Sequence, residues 1–184
     1  MSNNRDLTFL DSSNWDKIKR GWIYEAAIPY TGARPLDFFE RDKDNPNQGT
    51  VRAHNGVFTP GKVNHVVLGL KQRKVVIISR DDFCSDQAKI NISVAPILSI
   101  DEREKEKGWY KRVKEGTHPF FVYLPEEVTR RECIINTSEV FTIHKNMLLN
   151  EKIDITAFIP IIDNKLEYCL QLGMYKDYEQ EEAQ

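Results

Sequence analysis

The stretch "RKVVIISRDDF", residues 73 to 83, decides the fold. Its centre, Val75 to Ser79, is nearly all apolar and rich in β-branched residues, the composition of a strand buried on both faces. Arg73 and Lys74 come immediately before it, and Arg80, Asp81 and Asp82 follow at once. A guanidinium held at the mouth of a core strand is fixed more firmly than one on a mobile loop. It offers paired donors that suit an oxyanion, and it does not lose its charge.

Working outward, "HVVLGL" (65–70) and "KVVIIS" (74–79) read as two arms of one strand system around Lys71-Gln72-Arg73. "KINISVAPILS" (89–99) alternates Ile90, Ile92 and Val94 with Asn91, Ser93 and Ala95, which is a strand pattern. Upstream, "KIKRGWIYEAAIPY" (17–30) also alternates and is the first strand. Residues 31 to 62 are rich in Gly, Pro, Asn and Asp and form a long insertion, with a short strand expected around Val51 or Val57. Loops of that length in a domain are usually functional or disordered.

Downstream, "DEREKEKGWYKRVKEG" (101–116) is a charge run without an apolar period. "HPFFVYLPEE" (118–127) is a short aromatic strand closed by Pro125, and "RECIINTSEVFTIHKNMLL" (131–149) is a strand pair passing into a short helix. In "DNKLEYCLQLG" (163–173), Leu166, Cys169 and Leu170 stand at helical spacing, with Asn164 and Glu167 as an N-cap pair and Gly173 as a stop. "ITAFIPII" reads either way, because Pro160 is tolerated in a helix only in its first turn. Phe9, Leu10 and Trp15 can pin an N-terminal arm, residues 1–16, to the body formed by 17–173; residues 174–184 are an acidic tail.

The sum is mainly β with short helices (α+β), without βαβ alternation, which argues for a small barrel or sandwich. A chain of 184 residues with 40% apolar and 29% charged content is an ordinary globular protein of one domain. Its net charge of -2 excludes nucleic-acid binding by a uniformly basic surface, so any such contact is a local patch. Three scattered cysteines, Cys84, Cys133 and Cys169, read as reduced thiols of a cytoplasmic protein. The sequence holds neither an apolar stretch of membrane-spanning length nor a histidine–cysteine spacing that makes a zinc site.

Four segments, in order, resemble motifs of the MazF/PemK toxin family. "KRGWIYEAAIP" is similar to that family's opening strand, "RKVVIISRDDF" to its "R-P-V-L-V-I-S-x-D-x-F", "VAPILS" to its "V-x-P-(I/L)-T-S", and "CIINTSEVFTIHKNML" to its "S-V-(I/V)-x-x-x-Q-(I/P)-R-T-I-D-K-x-R-L". The resemblance covers residues 17 to 173 apart from the 31–62 insertion. It implies an SH3-like barrel of the MazF/PemK/CcdB type with a C-terminal helix. It also implies a homodimer and a cognate antitoxin that lays an acidic segment over the RNA groove. The implied activity is sequence-selective cleavage of single-stranded RNA, not DNA, without metal or cofactor. The ribose 2′-OH attacks its own 3′ phosphate and leaves a cyclic phosphate and a 5′-OH.

Carried onto this chain, the resemblance makes Arg73 the catalytic arginine that stabilises the phosphoryl oxygens. The family's threonine slot holds Leu98, so Ser99 is the candidate hydroxyl. His118, at the start of the aromatic strand, has the intrinsic pKa of a general base. Trp109, Tyr110, Lys111 and Arg112 interleave aromatics with cations and are candidates for stacking on bases and pairing with phosphates. Asn136, Ser138 and Thr142 stand at further RNA-facing positions of the family pattern. Trp22, Phe141 and His144 replace polar family residues, and these losses define the alternative: an RNA- or protein-binding module on the same barrel with catalysis weakened or lost. A gyrase poison of the CcdB type relies on a C-terminal Trp-Gly-Ile, where this chain has Gly173-Met174-Tyr175 and the acidic tail.

Overall fold

The computed structural model describes residues 8–30, 37–53, 60–61 and 63–172. The first residues of the N-terminal arm, Val57, Gly173 and the acidic tail lie outside them. In chain order the strands are β1 (Trp22–Tyr30), β2 (Asp37–Arg41), β3 (Gly49–Ala53), β4 (His65–Val67), β5 (Gly69–Ile77), β6 (Asn91–Ser99), β7 (Phe121–Leu124), β8 (Cys133–Asn136), β9 (Phe141–His144) and β10 (Leu148–Asp154). The helices are α1 (Asp81–Ser85), α2 (Glu102–Lys105), α3 (Gly108–Lys114), α4 (Glu126–Thr129) and α5 (Ile159–Leu170). The chain divides into two compact units, Met1–Ala26 with Arg73–Gln184, and Ala27–Gln72.

The larger unit is organised by β6. Val94 pairs with both Ile77 and Phe141, so β5 and β9 lie on opposite edges of β6. Beyond Pro96, the β9 edge passes to β8, through Ile97↔Ile135, Leu98↔Ile134 and Ser99↔Cys133. The register of the two ladders differs by three residues (Val94↔Phe141 against Ile97↔Ile135), the length of the 3₁₀ turn Thr137–Glu139 between β8 and β9. The full order is β10-β1-β5-β6-β8-β7 with β9 on β6. No ladder among the described residues joins β10 to β7, so the sheet is an open, forked one where the sequence reading expected a closed barrel.

Strands of this unit alternate apolar residues into two layers. Ile23, Val76, Ala95, Ile97, Val122, Leu124 and Ile135 pack with Ile155 and with Ile162 of α5. Each valine, leucine or isoleucine among them contributes about 1.5–3 kcal/mol through removal from water. The N-terminal arm is held by Trp15, which is 6% exposed and meets the His144 ring edge-on at 5.8 Å. Phe9, by contrast, is 58% exposed, although its backbone bridges to Leu149.

Four sequence expectations change. Lys71-Gln72-Arg73 is strand interior, since β5 runs unbroken from Gly69 to Ile77; the tripeptide has none of the Gly, Pro, Asn or Asp chemistry that turns require. The charge run forms α2 and α3. Asp101 and Glu104 make a reciprocal capping box there, and Trp109, Tyr110 and Val113 pack with Ile100 and Ile134. The segment after His144 is a 3₁₀ turn, Lys145–Met147, that opens directly into β10. α5 begins at Ile159, with Pro160 in its first turn, so Asn164 is helix interior and not a cap.

The smaller unit, Ala27–Gln72, contains a second sheet. β3-β2-β4 form an antiparallel sheet with β2 in the centre. The turn between β2 and β3 is nucleated by Asp42, whose side chain accepts from the amides of Asp44 and Asn45 at 2.7 and 3.0 Å. Arg52 and Glu40, adjacent across the ladder, form an ion pair at 3.1 Å.

Gly21 is the hinge on which β1 enters the larger unit. Its φ is +75°, its amide donates to the Ile77 carbonyl at 3.0 Å, and its carbonyl accepts from the Ile155 amide at 2.9 Å. A Cβ there would lie 2.8 Å from Ile159 Cγ1 and 3.0 Å from Thr156 Cα. Gly21→Ala is therefore expected to lose on the order of 2 kcal/mol from backbone strain and overlap together, read as a lower denaturation midpoint in urea. An unchanged midpoint would contradict this placement.

Candidate functional site

Arg73 sits on the exposed part of β5, two residues before the fully buried Val75. Continuing the β5–β6 register two residues past Val75↔Pro96 brings Arg73 level with Leu98, itself 40% exposed. Side chains directly opposite in an antiparallel pair share a face, and successive ones alternate. Ser99 consequently points to the face opposite Arg73 and Leu98. The serine that sequence reasoning offered in place of the family's threonine does not join the arginine.

His118 does not join it either. It is 6% exposed and lies parallel to the Phe121 ring at 4.3 Å, with Phe120 edge-on at 4.6 Å. Its Nδ1 accepts the Phe121 amide at 3.2 Å. Burial, with the Arg112 and Lys165 charges adding to it, holds its pKa below the ordinary histidine value. The imidazole closes the turn before β7.

The α3 aromatics are likewise committed. Trp109 meets Phe121 edge-on at 5.7 Å. The Tyr110 hydroxyl donates to both Glu132 oxygens at 3.0 Å. The expected stacking platform is thus the wall of a small core. Lys111 and Arg112 are exposed, and Lys111 lies 3.8 Å from Glu115 on the same helix. Asn136 is 5% exposed, and its Oδ1 accepts from the Ser138 amide at 3.2 Å and the Ser138 hydroxyl at 2.6 Å. That bond caps the 3₁₀ turn that sets the β8–β9 register, so Asn136 and Ser138 are turn residues. Thr142 is exposed on β9 opposite Ser93.

Sequence reasoning missed the polar hub at Glu132. This carboxylate, 14% exposed, accepts from Tyr110, from Tyr123, from Lys105 at 3.0 Å and from Lys114 at 3.2 Å. The Lys114 ammonium also lies 5.6 Å from the Tyr110 ring centre and 5.3 Å from that of Tyr123. The hydrogen bond from Tyr123, with those from Lys105, Tyr110 and Lys114, holds the Glu132 carboxyl down to about 2. Burial first, and the carboxylate second, push the Tyr123 phenol up to about 12. The Glu132 carbonyl also accepts the Ile100 amide at 3.0 Å, which ties the hub to the end of β6. The available signal was the spacing of Lys105, Tyr110 and Lys114, which α2 and α3 turn into one inward-facing set.

Among the described residues no group of three or more His, Cys, Asp or Glu side chains is placed to hold a metal ion. No helix of the described residues is long and apolar enough to cross a membrane.

No protein-family model matches the chain, and no curated protein matches it. Among solved structures it is similar to an endoribonuclease in complex with its cognate antitoxin from Mycobacterial species, at 11% identity and a TM-score of 0.45, over 84% of this chain and 96% of that one. The likeness is one of chain path and carries no argument about activity.

A carboxyl whose pKa is depressed on folding stabilises the fold fully above its ordinary value and ceases to do so as pH falls through its folded value. For Glu132 that window runs from 4.5 down to about 2. Glu132→Gln is expected to lose on the order of 2 kcal/mol at neutral pH, as hydrogen bonds to a charged group do. The gap from the parent protein should narrow as pH falls through that window. Thermal melts of both proteins across it measure this; a gap independent of pH would show that the charge of Glu132 is not what matters.

Proposed function

We propose that the protein is a toxin-type endoribonuclease of the MazF/PemK kind, cytoplasmic and homodimeric, held in check by a cognate antitoxin. One observation carries the reading. The four segments that resemble the family's motifs, scattered from residue 19 to residue 148, are neighbours in a single sheet: β1, β5, β6, and β8 with β9. Segments that merely share an apolar composition have no reason to lie side by side in one sheet. Arg73 is exposed on β5 within this group and is the group suited to the charge that builds on the phosphoryl oxygens during in-line attack. Lys111 and Arg112, the exposed cations of α3 that do not pair with Glu132, are assigned to backbone phosphates. Cleavage proceeds by 2′-OH attack without a metal.

A second reading has its own observation. The β5–β6 register, continued beyond Val75↔Pro96, sets Arg73 level with Leu98 and not with Ser99, and His118 is buried. A site with the arginine but without those partners suits a module that binds RNA or protein with little or no turnover.

Incubation of purified protein with a long RNA in EDTA separates the two. Discrete fragments with 5′-OH ends, and a loss on the order of 100-fold or more in Arg73→Ala, are the expected results. Thermal melting of the variant beside the parent checks that it stays folded. Cleavage by Arg73→Ala at the parental rate removes the arginine from the chemistry. Bound but intact RNA selects the second reading.

A further inference from the structure

A cleft between the N-terminal 3₁₀ helix, Ser12–Lys17, and the β1–β10 ladder takes no part in the reading above. Leu10, Asn14, Lys17, Tyr24 and Lys152 line it, and its volume is about 190 Å³. Its polar groups are arranged as donors. Lys17 Nζ donates to Asn14 Oδ1 at 2.8 Å, which occupies the carboxamide oxygen and leaves the Asn14 NH₂ as the group that can serve a ligand. Tyr24 is 2% exposed, and burial pushes its phenol up to about 12, so the hydroxyl keeps its proton. Lys152 stands opposite Tyr24 in the ladder, with its ammonium 4.2 Å from the centre of the Trp22 ring. The Lys19 ammonium lies 5.8 Å from the same ring, where the Asp154 carboxylate faces both Trp22 and Lys19.

Among the described residues the lining contains no carboxylate. Of the acidic groups nearby in the chain, Asp11 accepts the Ser13 amide at 2.8 Å, and Asp154 accepts the amide and hydroxyl of Thr156 at 2.8 and 2.7 Å. Asp16 is exposed on the same 3₁₀ helix. Two ammonium groups, a carboxamide NH₂ and a phenol around one small space make a site for a doubly or singly charged oxyanion. The space is smaller than the roughly 300–1,000 Å³ of a site for a drug-sized molecule and suits one phosphate with its sugar.

We propose that this cleft seats a backbone phosphate of single-stranded RNA, with Lys17 and Lys152 on its oxygens and Asn14 and Tyr24 donating hydrogen bonds. The proposal rests on the RNA reading above, and it adds a second anchoring point on β1 and β10, away from Arg73. Asn14 holds Lys17 and Trp22 holds Lys152, so both cations are oriented before RNA arrives.

The test uses the full chain and a labelled single-stranded RNA with every 2′-OH methylated, which can bind but cannot be cut. Fluorescence anisotropy across a salt series should give Lys17→Ala/Lys152→Ala an affinity lower by on the order of tenfold. The slope of log K against log salt should be shallower by about 1, as for the loss of one phosphate contact. Lys17→Arg/Lys152→Arg should keep most of the affinity, and thermal melting should be unchanged because both lysines are exposed. Parental affinity and slope in the double alanine variant would overturn the cleft and leave the nuclease reading standing. Binding through these lysines to an unmodified RNA that is never cut would support the cleft and overturn the nuclease reading. An oligonucleotide that the parent protein does not bind at all would overturn both.

Discussion

Everything in the larger unit depends on β6 serving three partners with one backbone. A strand has two rows of hydrogen-bonding groups, and β6 commits one to β5 and divides the other between β9 and β8. Pro96, which lacks an amide, sits where that second row changes hands, and a strand's interior tolerates proline at such an irregular point. The Thr137–Glu139 turn takes up the three residues by which the two ladders differ, and Asn136 caps it. A substitution that straightened this turn would slip β8 and β9 relative to each other and send their side chains to the wrong faces.

The open sheet is then closed off by polar locks as much as by apolar packing. The Arg20 amide donates to Asp81 of α1 at 2.7 Å, while its guanidinium pairs with Asp163 of α5. Lys145, with no exposed surface, donates from Nζ to the Asp86 carbonyl at 2.8 Å, with Trp15 5.1 Å away; burial lowers its pKa. Glu132 gathers two tyrosines and two lysines at the other end of β6. Each lock joins segments far apart in the chain, and each uses a charge that composition alone would assign to the surface. The "K-R-G" motif acquires a physical reading from this: the arginine joins two helices, and the glycine supplies the positive φ just before β1 begins.

Much of the fold was legible. Apolar alternation located β1, β6 and β7, and the run Val75–Ile77 located the buried half of β5, because strand burial writes itself into neighbouring residues. The capping pair Asp101 and Glu104 was legible too, yet the charge run around it was read only as lacking an apolar period. Its apolar residues are few and serve a satellite core, so no helical period was apparent. The site was read less well. Arg73 is exposed where expected, but the groups sought beside it were chosen by residue type. The pairing register sends Ser99 to the other face, packing buries His118, and Tyr110 spends its hydroxyl on Glu132.

By itself, then, the chain of residues determined which stretches would be strands, that the inserted segment would be turn-rich, and which cations were available for binding an anion. These are local properties, set by side-chain period and by backbone conformational preference. Only the tertiary structure decided which charges face water and which are locked inside, and which side of β6 meets Arg73. It also decided that Lys17 and Lys152, separated by most of the chain, share a cleft with Tyr24. Those outcomes depend on ladder register and on contacts between distant segments, and a one-residue change in register reverses them without altering any local signal.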